Sequence, residues 1–129
     1  MDTEKILFLI NTYGRTCVSA DIPNTEHVIF FKPWREYDFS KYINFEVCIM
    51  DVNDEDIYVP LDEFDISWAG RLKTMVKVLG KNYVDFAKLS GYAHTSIKQL
   101  ASRSDDQFPE TMKATIRVFE AMYRKHVTL

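Results

Sequence analysis

The chain has 129 residues, a formal net charge of −3 and 47% hydrophobic residues, enough to fold as one ordinary domain or two small ones. That composition excludes a disordered segment, and no apolar run reaches membrane-spanning length. The start, MDTEKILFLIN, has neither a basic leader nor a small-residue cleavage site, so a cytoplasmic protein is expected, nucleoid-associated if it holds DNA.

The modest net charge conceals two unlike halves. Residues 1–69 hold five Lys/Arg against fourteen Asp/Glu, a net of −9, while residues 70–129 hold eleven against five, a net of +6. A basic half suits a polyanion that an acidic half would repel, so the halves are expected to have different partners.

In chain order, Asp2-Thr3-Glu4 followed by Ile6, Leu9, Ile10 and Tyr13 fits a short helix ended by Gly14, although Ile6 to Ile10 also suits a buried strand. Four β-like runs follow: Thr16 to Ile22, His27 to Trp34, Phe45 to Val52 and Asp56 to Leu61. They are rich in Val, Ile, Phe and Tyr and are split by turn formers such as Pro23-Asn24 and Asn53-Asp54. The last two are close enough for an antiparallel hairpin. Near Asp65 to Gly70 the character changes to helix. Ser67 can cap a helix with apolar Leu72, Met75, Val76 and Leu79, closed by Gly80. Asn82 can cap the next one, with Asp85 returning the bond as an imperfect capping box. Pro109 suits the first turn of a final helix whose stripe is Met112, Ile116, Phe119 and Met122 or Tyr123.

These elements predict an α+β fold: a small N-terminal antiparallel sheet, with room for one packed helix, then a C-terminal domain of four helices. The expected domains are residues 1–66, acidic and β-rich, and 67–129.

Few residues suggest reaction chemistry. Cys17 and Cys48 lack metal spacing and are expected to be reduced and mostly buried. Asp51 to Asp56 has oxygen side chains at alternate places, but Asp56 stands where a calcium loop needs glycine, so a solvated hairpin turn is expected. His27, His94 and His126 pair with no Cys or carboxylate at ligand spacing. The four glycines, Gly14, Gly70, Gly80 and Gly91, form no phosphate loop, and no nucleophile motif is present. No enzyme activity, metal or cofactor is expected. Trp34, Tyr37, Phe39, Tyr42 and Phe45 crowd one acidic stretch, as the core of a small sheet or as a protein-binding face.

The most specific pattern lies in Tyr83 to Ser102, YVDFAKLSGYAHTSIKQLAS. Ala87 is small where a second helix must cross, Gly91 can take the positive φ that ends the first helix, and Ile97 follows six residues later. Phe86, Leu89, Tyr92 and Leu100 fill the remaining inward places and leave His94, Thr95, Ser96, Lys98 and Gln99 outside. That stretch resembles the helix-turn-helix of the phage-repressor family, which contains the lambda repressor and Cro. The likeness is strongest at Gly91, Ser96-Ile97 and Gln99-Leu100, extends weakly to Phe108-Pro109, and covers about residues 68 to 125. Two departures stand out. The family usually has Ser or Thr where this chain has Ala93, so Thr95 or Ser96 must cap the second helix, or it starts uncapped. Ser102-Arg103-Ser104-Asp105-Asp106 replaces the family's glycine-containing turn.

The resemblance implies a sequence-specific DNA-binding regulator, a repressor or autoregulator, acting as a homodimer on double-stranded DNA. The helix near residues 93–102 would enter the major groove, with His94, Thr95 and Gln99 on bases and Ser96 beside them. Asn82 and Tyr83 would hold phosphate, with Lys81, Lys98 and Arg103 adding charge. The rival reading is an antitoxin or phage-encoded inhibitor whose acidic half binds a host protein, the helix-turn-helix serving autoregulation. A third version has the sheet sense a small ligand.

Overall fold

The computed structural model describes residues 3–14, 16–23, 27–29, 38–51, 53–80 and 82–127, with backbone alone for 27–29, 39, 80, 89, 94, 126 and 127. The chain divides into two compact units, Met1–Ile49 with Asp56–Phe64 and Tyr123–Leu129, and Met50–Glu55 with Asp65–Met122.

In the first unit, Ile6, Leu9 and Tyr13 recur at helical spacing and are all buried on α1 (Thr3–Tyr13). The helix reading of this segment holds over the strand reading. Gly14, at φ 124°, takes a backbone conformation closed to most side chains and turns the chain into the sheet. The sheet has four strands in the order β2-β1-β3-β4: β1 (Val18–Asp21), β2 (His27–Ile29), β3 (Ile43–Met50) and β4 (Asp56–Pro60). Of the run expected from His27 to Trp34, the part beyond Ile29 lies outside the described residues, as do Trp34 and Tyr37.

Central β1 pairs antiparallel with both neighbours, Ala20 opposite Val28 and Val18 opposite Val47. The register with β3 shifts by one residue between Ser19 and Asp21, a β-bulge. Asn44 absorbs it in the left-handed region at φ 54°, which Asn tolerates, and its side-chain amide donates to Asp21 Oδ2 at 3.3 Å. The β3–β4 hairpin turns through the acidic stretch. Asp51 Oδ1 accepts from the backbone N–H groups of Asn53 (2.8 Å) and Glu55 (3.0 Å), so this carboxylate ties a turn. Val18, Ala20, Val47, Ile49, Leu61 and Phe64 complete the core with α1, and Lys5 Nζ donates to the Leu61 carbonyl at 2.6 Å.

The second unit holds α2 (Trp68–Met75), a π-helical turn (Val76–Gly80), α3 (Tyr83–Ser90), α4 (His94–Leu100) and most of α5 (Glu110–Val127). As expected, Ser67 caps α2, its hydroxyl accepting from Gly70 N at 3.2 Å. Gly70 is required by space, because a Cβ there would run into the Asp65 backbone and side chain. The π turn changes the apolar register beyond Val76: Val78 is buried, while Leu79 is half-buried. Met112 and Ile116 face the core together with Leu72, Met75, Phe86, Ile97 and Phe108.

The expected order, an N-terminal sheet followed by a four-helix C-terminal domain, is overturned. The strands lie mid-chain, between residues 18 and 60, with helices at both ends. The physical reason lies in the two terminal helices. α1 supplies Ile6, Leu9 and Tyr13 to the core of the sheet-bearing unit, and the end of α5 returns to that unit through buried Tyr123, whose ring meets Tyr13 edge-on at 6.1 Å. Tyr123, and not exposed Met122, continues the α5 stripe. Among the described residues no helix is long and apolar enough to cross a membrane.

Candidate nucleic-acid interface

The α3–α4 pair is built from local rules. Asn82, extended at φ −151°, caps α3: its side-chain oxygen accepts from Asp85 N at 2.9 Å. The reciprocal contact differs from a capping box, since Asp85 Oδ2 accepts from the Asn82 side-chain amide at 3.0 Å and not from its backbone. Gly91 ends α3 in the left-handed region, φ 79° and ψ 4°, with its N–H donating to the Ala87 carbonyl at 2.9 Å. A Cβ on Gly91 would meet nothing within 4 Å, so backbone conformation alone demands glycine here. Three residues, Gly91-Tyr92-Ala93, then separate the helices.

Ala93 stands at the cap of α4 with no side-chain hydrogen bond, so of the alternatives the uncapped start is the one observed. Ile97, Leu100 and Ala101 are buried under α4, and Phe86 beneath α3 packs against Phe119 at 5.3 Å between ring centroids. This inward anchoring decides what faces out. Thr95, Ser96, Lys98, Gln99, Ser102 and Arg103 are all exposed, so five of the nine expected DNA-contacting residues share one solvent-facing surface on and after α4. Asn82 is exposed and Tyr83 half-buried at the start of α3. His94 opens α4, but its side chain, like the whole of Lys81, lies outside the described residues.

The local charge is distributed unevenly. Among the described residues no carboxylate pairs with Lys98 or Arg103. Asp85 brings a negative charge beside Asn82, and Asn82 has already committed its side-chain oxygen to the Asp85 backbone N–H and one amide hydrogen to the Asp85 carboxylate. The α3 N-terminus is therefore a weaker phosphate holder than its sequence suggests.

The segment after α4 is occupied with structural work. Asp105 Oδ1 accepts from Trp68 N at 2.7 Å, capping α2 from 37 residues away. Ser104 Oγ donates to Asp106 Oδ1 at 2.6 Å. Phe108 is buried and stacks with Trp68 at 6.3 Å. Arg71, at 3.9 Å from the Trp68 ring centroid, grips buried Glu120 through two bonds of 3.0 and 2.5 Å. Arg117 and Lys113 lie over the same ring, at 4.8 and 5.6 Å. Sequence reasoning missed this cluster because Arg71 and Glu120 are 49 residues apart and no local pattern links them. A Trp followed three residues later by Arg is only a weak hint.

Among the described residues no group of three or more His, Cys, Asp or Glu could hold a metal ion. Comparison with protein-family models, with curated proteins and with solved structures finds no match to this chain.

Proposed function

We propose that this protein is a sequence-specific DNA-binding regulator that enters the major groove with α4. The observation that carries the reading is the combination of a left-handed Gly91 between two short helices with an outward surface made of Thr95, Ser96, Lys98 and Gln99. A short helix held from beneath by Ile97 and Leu100 presents polar side chains from a fixed backbone, which suits base recognition. Gln99 carries an amide whose oxygen and nitrogen match adenine N6 and N7, while Lys98 and Arg103 supply charge for phosphate. One such module reads few base pairs, so two copies on a palindromic site are the natural geometry. Selection of bound duplexes from a random pool tests this. A consensus palindrome is the expected result, and no enrichment would overturn the reading.

The −9 balance of residues 1–69 favours a second role alongside the first, as in an antitoxin or inhibitor. That half would bind a basic protein partner, with α3–α4 reserved for autoregulation. Retention of a stoichiometric partner by a charge-reversed variant of the Asp51–Asp56 turn would argue against it.

A further inference from the structure

Among the described residues the exposed large apolar side chains are Ile43, Tyr58, Val84, Val118 and Met122, and the last two alone stand one turn apart on a single helix. Val118 is 59% exposed and Met122 58%, while Met112, Ile116 and Tyr123 bury the opposite side of α5. Residues three and four apart share a helix face, so Ala114, Thr115 and Ala121 join Val118 and Met122 in one outward stripe. Ala114 and Ala121 are exposed and carry only a methyl group. Thr115 donates its hydroxyl to the Thr111 carbonyl at 3.0 Å, so its methyl remains for contact. Arg117 is drawn aside over the Trp68 ring, which leaves the middle of the stripe uncharged. The charges bordering it stand at its ends: exposed Glu110 at the start of α5 and exposed Lys125 near its finish.

We propose that this face is a docking surface for a second copy of the chain, the two α5 helices packing antiparallel about a two-fold axis at Val118. The stripe is self-complementary in that arrangement, as a two-fold interface must be. Val118 meets its own counterpart, Ala114 meets Ala121 of the second copy, and Thr115 meets the second copy's Met122. Small residues opposite one another let the helices approach, and the one long side chain, Met122, has a Thr to lie on. Glu110 stands eight residues before Val118 and Lys125 seven after it, so each end brings Glu110 of one copy beside Lys125 of the other. A parallel pair would set like charges together instead. This self-matching pattern is what selects a second copy over a foreign partner. One helix pair of this length buries less than the roughly 1,200 Å² total of a stable complex, so the dimer is reversible and micromolar, not obligate. The pairing supplies the two copies that the DNA-binding reading calls for, yet nothing in it depends on DNA.

The test is sedimentation equilibrium of the full chain without DNA, over a concentration series reaching the millimolar range. A monomer–dimer equilibrium in the micromolar range is expected. Val118→Glu places two carboxylates at the axis and should weaken dimerisation at least about tenfold. Its melting temperature in dilute solution should be unchanged, because the side chain is exposed in the single copy. In a Cys48→Ala background, Val118→Cys should form a disulfide-linked dimer under mild oxidation. Thr111→Cys should not, because antiparallel pairing holds the two copies of that position about 21 Å apart. A chain that stays monomeric throughout the series would leave the face to a different partner and overturn the proposal. Dimerisation untouched by Val118→Glu, or crosslinking as ready at position 111 as at 118, would overturn it too. Failure here leaves the DNA-binding reading standing, and a failed duplex selection leaves the pairing standing.

Discussion

Two groups of basic residues in the helical unit look equivalent in sequence and differ in what holds them. Around Trp68, Arg71 is locked to buried Glu120, Lys113 pairs with Glu110 at 2.9 Å, and Arg117 rests on the ring. Around α4, Lys98, Gln99 and Arg103 are exposed, and among the described residues the two cations have no carboxylate partner. The first group spends its charge inside the fold, joining α2 to α5. The second leaves its charge facing solvent. Net charge therefore says little about where a polyanion would bind; the pairing of each cation says more.

That contrast breaks most visibly at Glu120. Glu120→Ala strips the buried partner from Arg71 and should cost about 3 kcal/mol or more in urea unfolding, with any loss of DNA binding following loss of fold. A cost near zero would mean the pair is no clamp. At the other pole, Gln99→Ala should leave the melting temperature unchanged and cost about 1–3 kcal/mol of specific binding. Equal losses on cognate and scrambled duplexes would remove Gln99 from base reading. Gly91→Ala sharpens the geometric side: with open space around the new Cβ, only the strained φ costs stability, about 1–2 kcal/mol, and Gly91→Asn should recover much of it. The smallest effect belongs to Lys98→Ala, which should weaken binding to all sequences alike and lower the slope of log affinity against log salt by about 1.

How much of this was legible follows from sequence distance. The Asn82 cap, the Gly91 turn and the inward Phe86, Ile97 and Leu100 are set by residues within a turn or two of each other, and all were read directly. Ser67 at α2 was equally local. The order of sheet and helices was misread because Tyr123 belongs energetically to Tyr13, more than a hundred residues earlier, and helical periodicity carries no such address. The π turn hid for a different reason: its sequence, VKVLG, continues an ordinary apolar stripe, and only packing shows that Val78 has moved inside. At the candidate site, the outward surface of α4 was legible, whereas the engagement of Asn82 with Asp85 and of Asp105 with Trp68 was not.

The separation of the two basic groups is tested most directly by following backbone amide shifts residue by residue as the full chain is titrated with a duplex recovered from the random pool. Large shifts are expected at Thr95, Ser96, Lys98, Gln99 and Arg103, with Trp68, Arg71 and Arg117 left almost unmoved. The largest shifts around Trp68, or within the sheet-bearing unit, would contradict it.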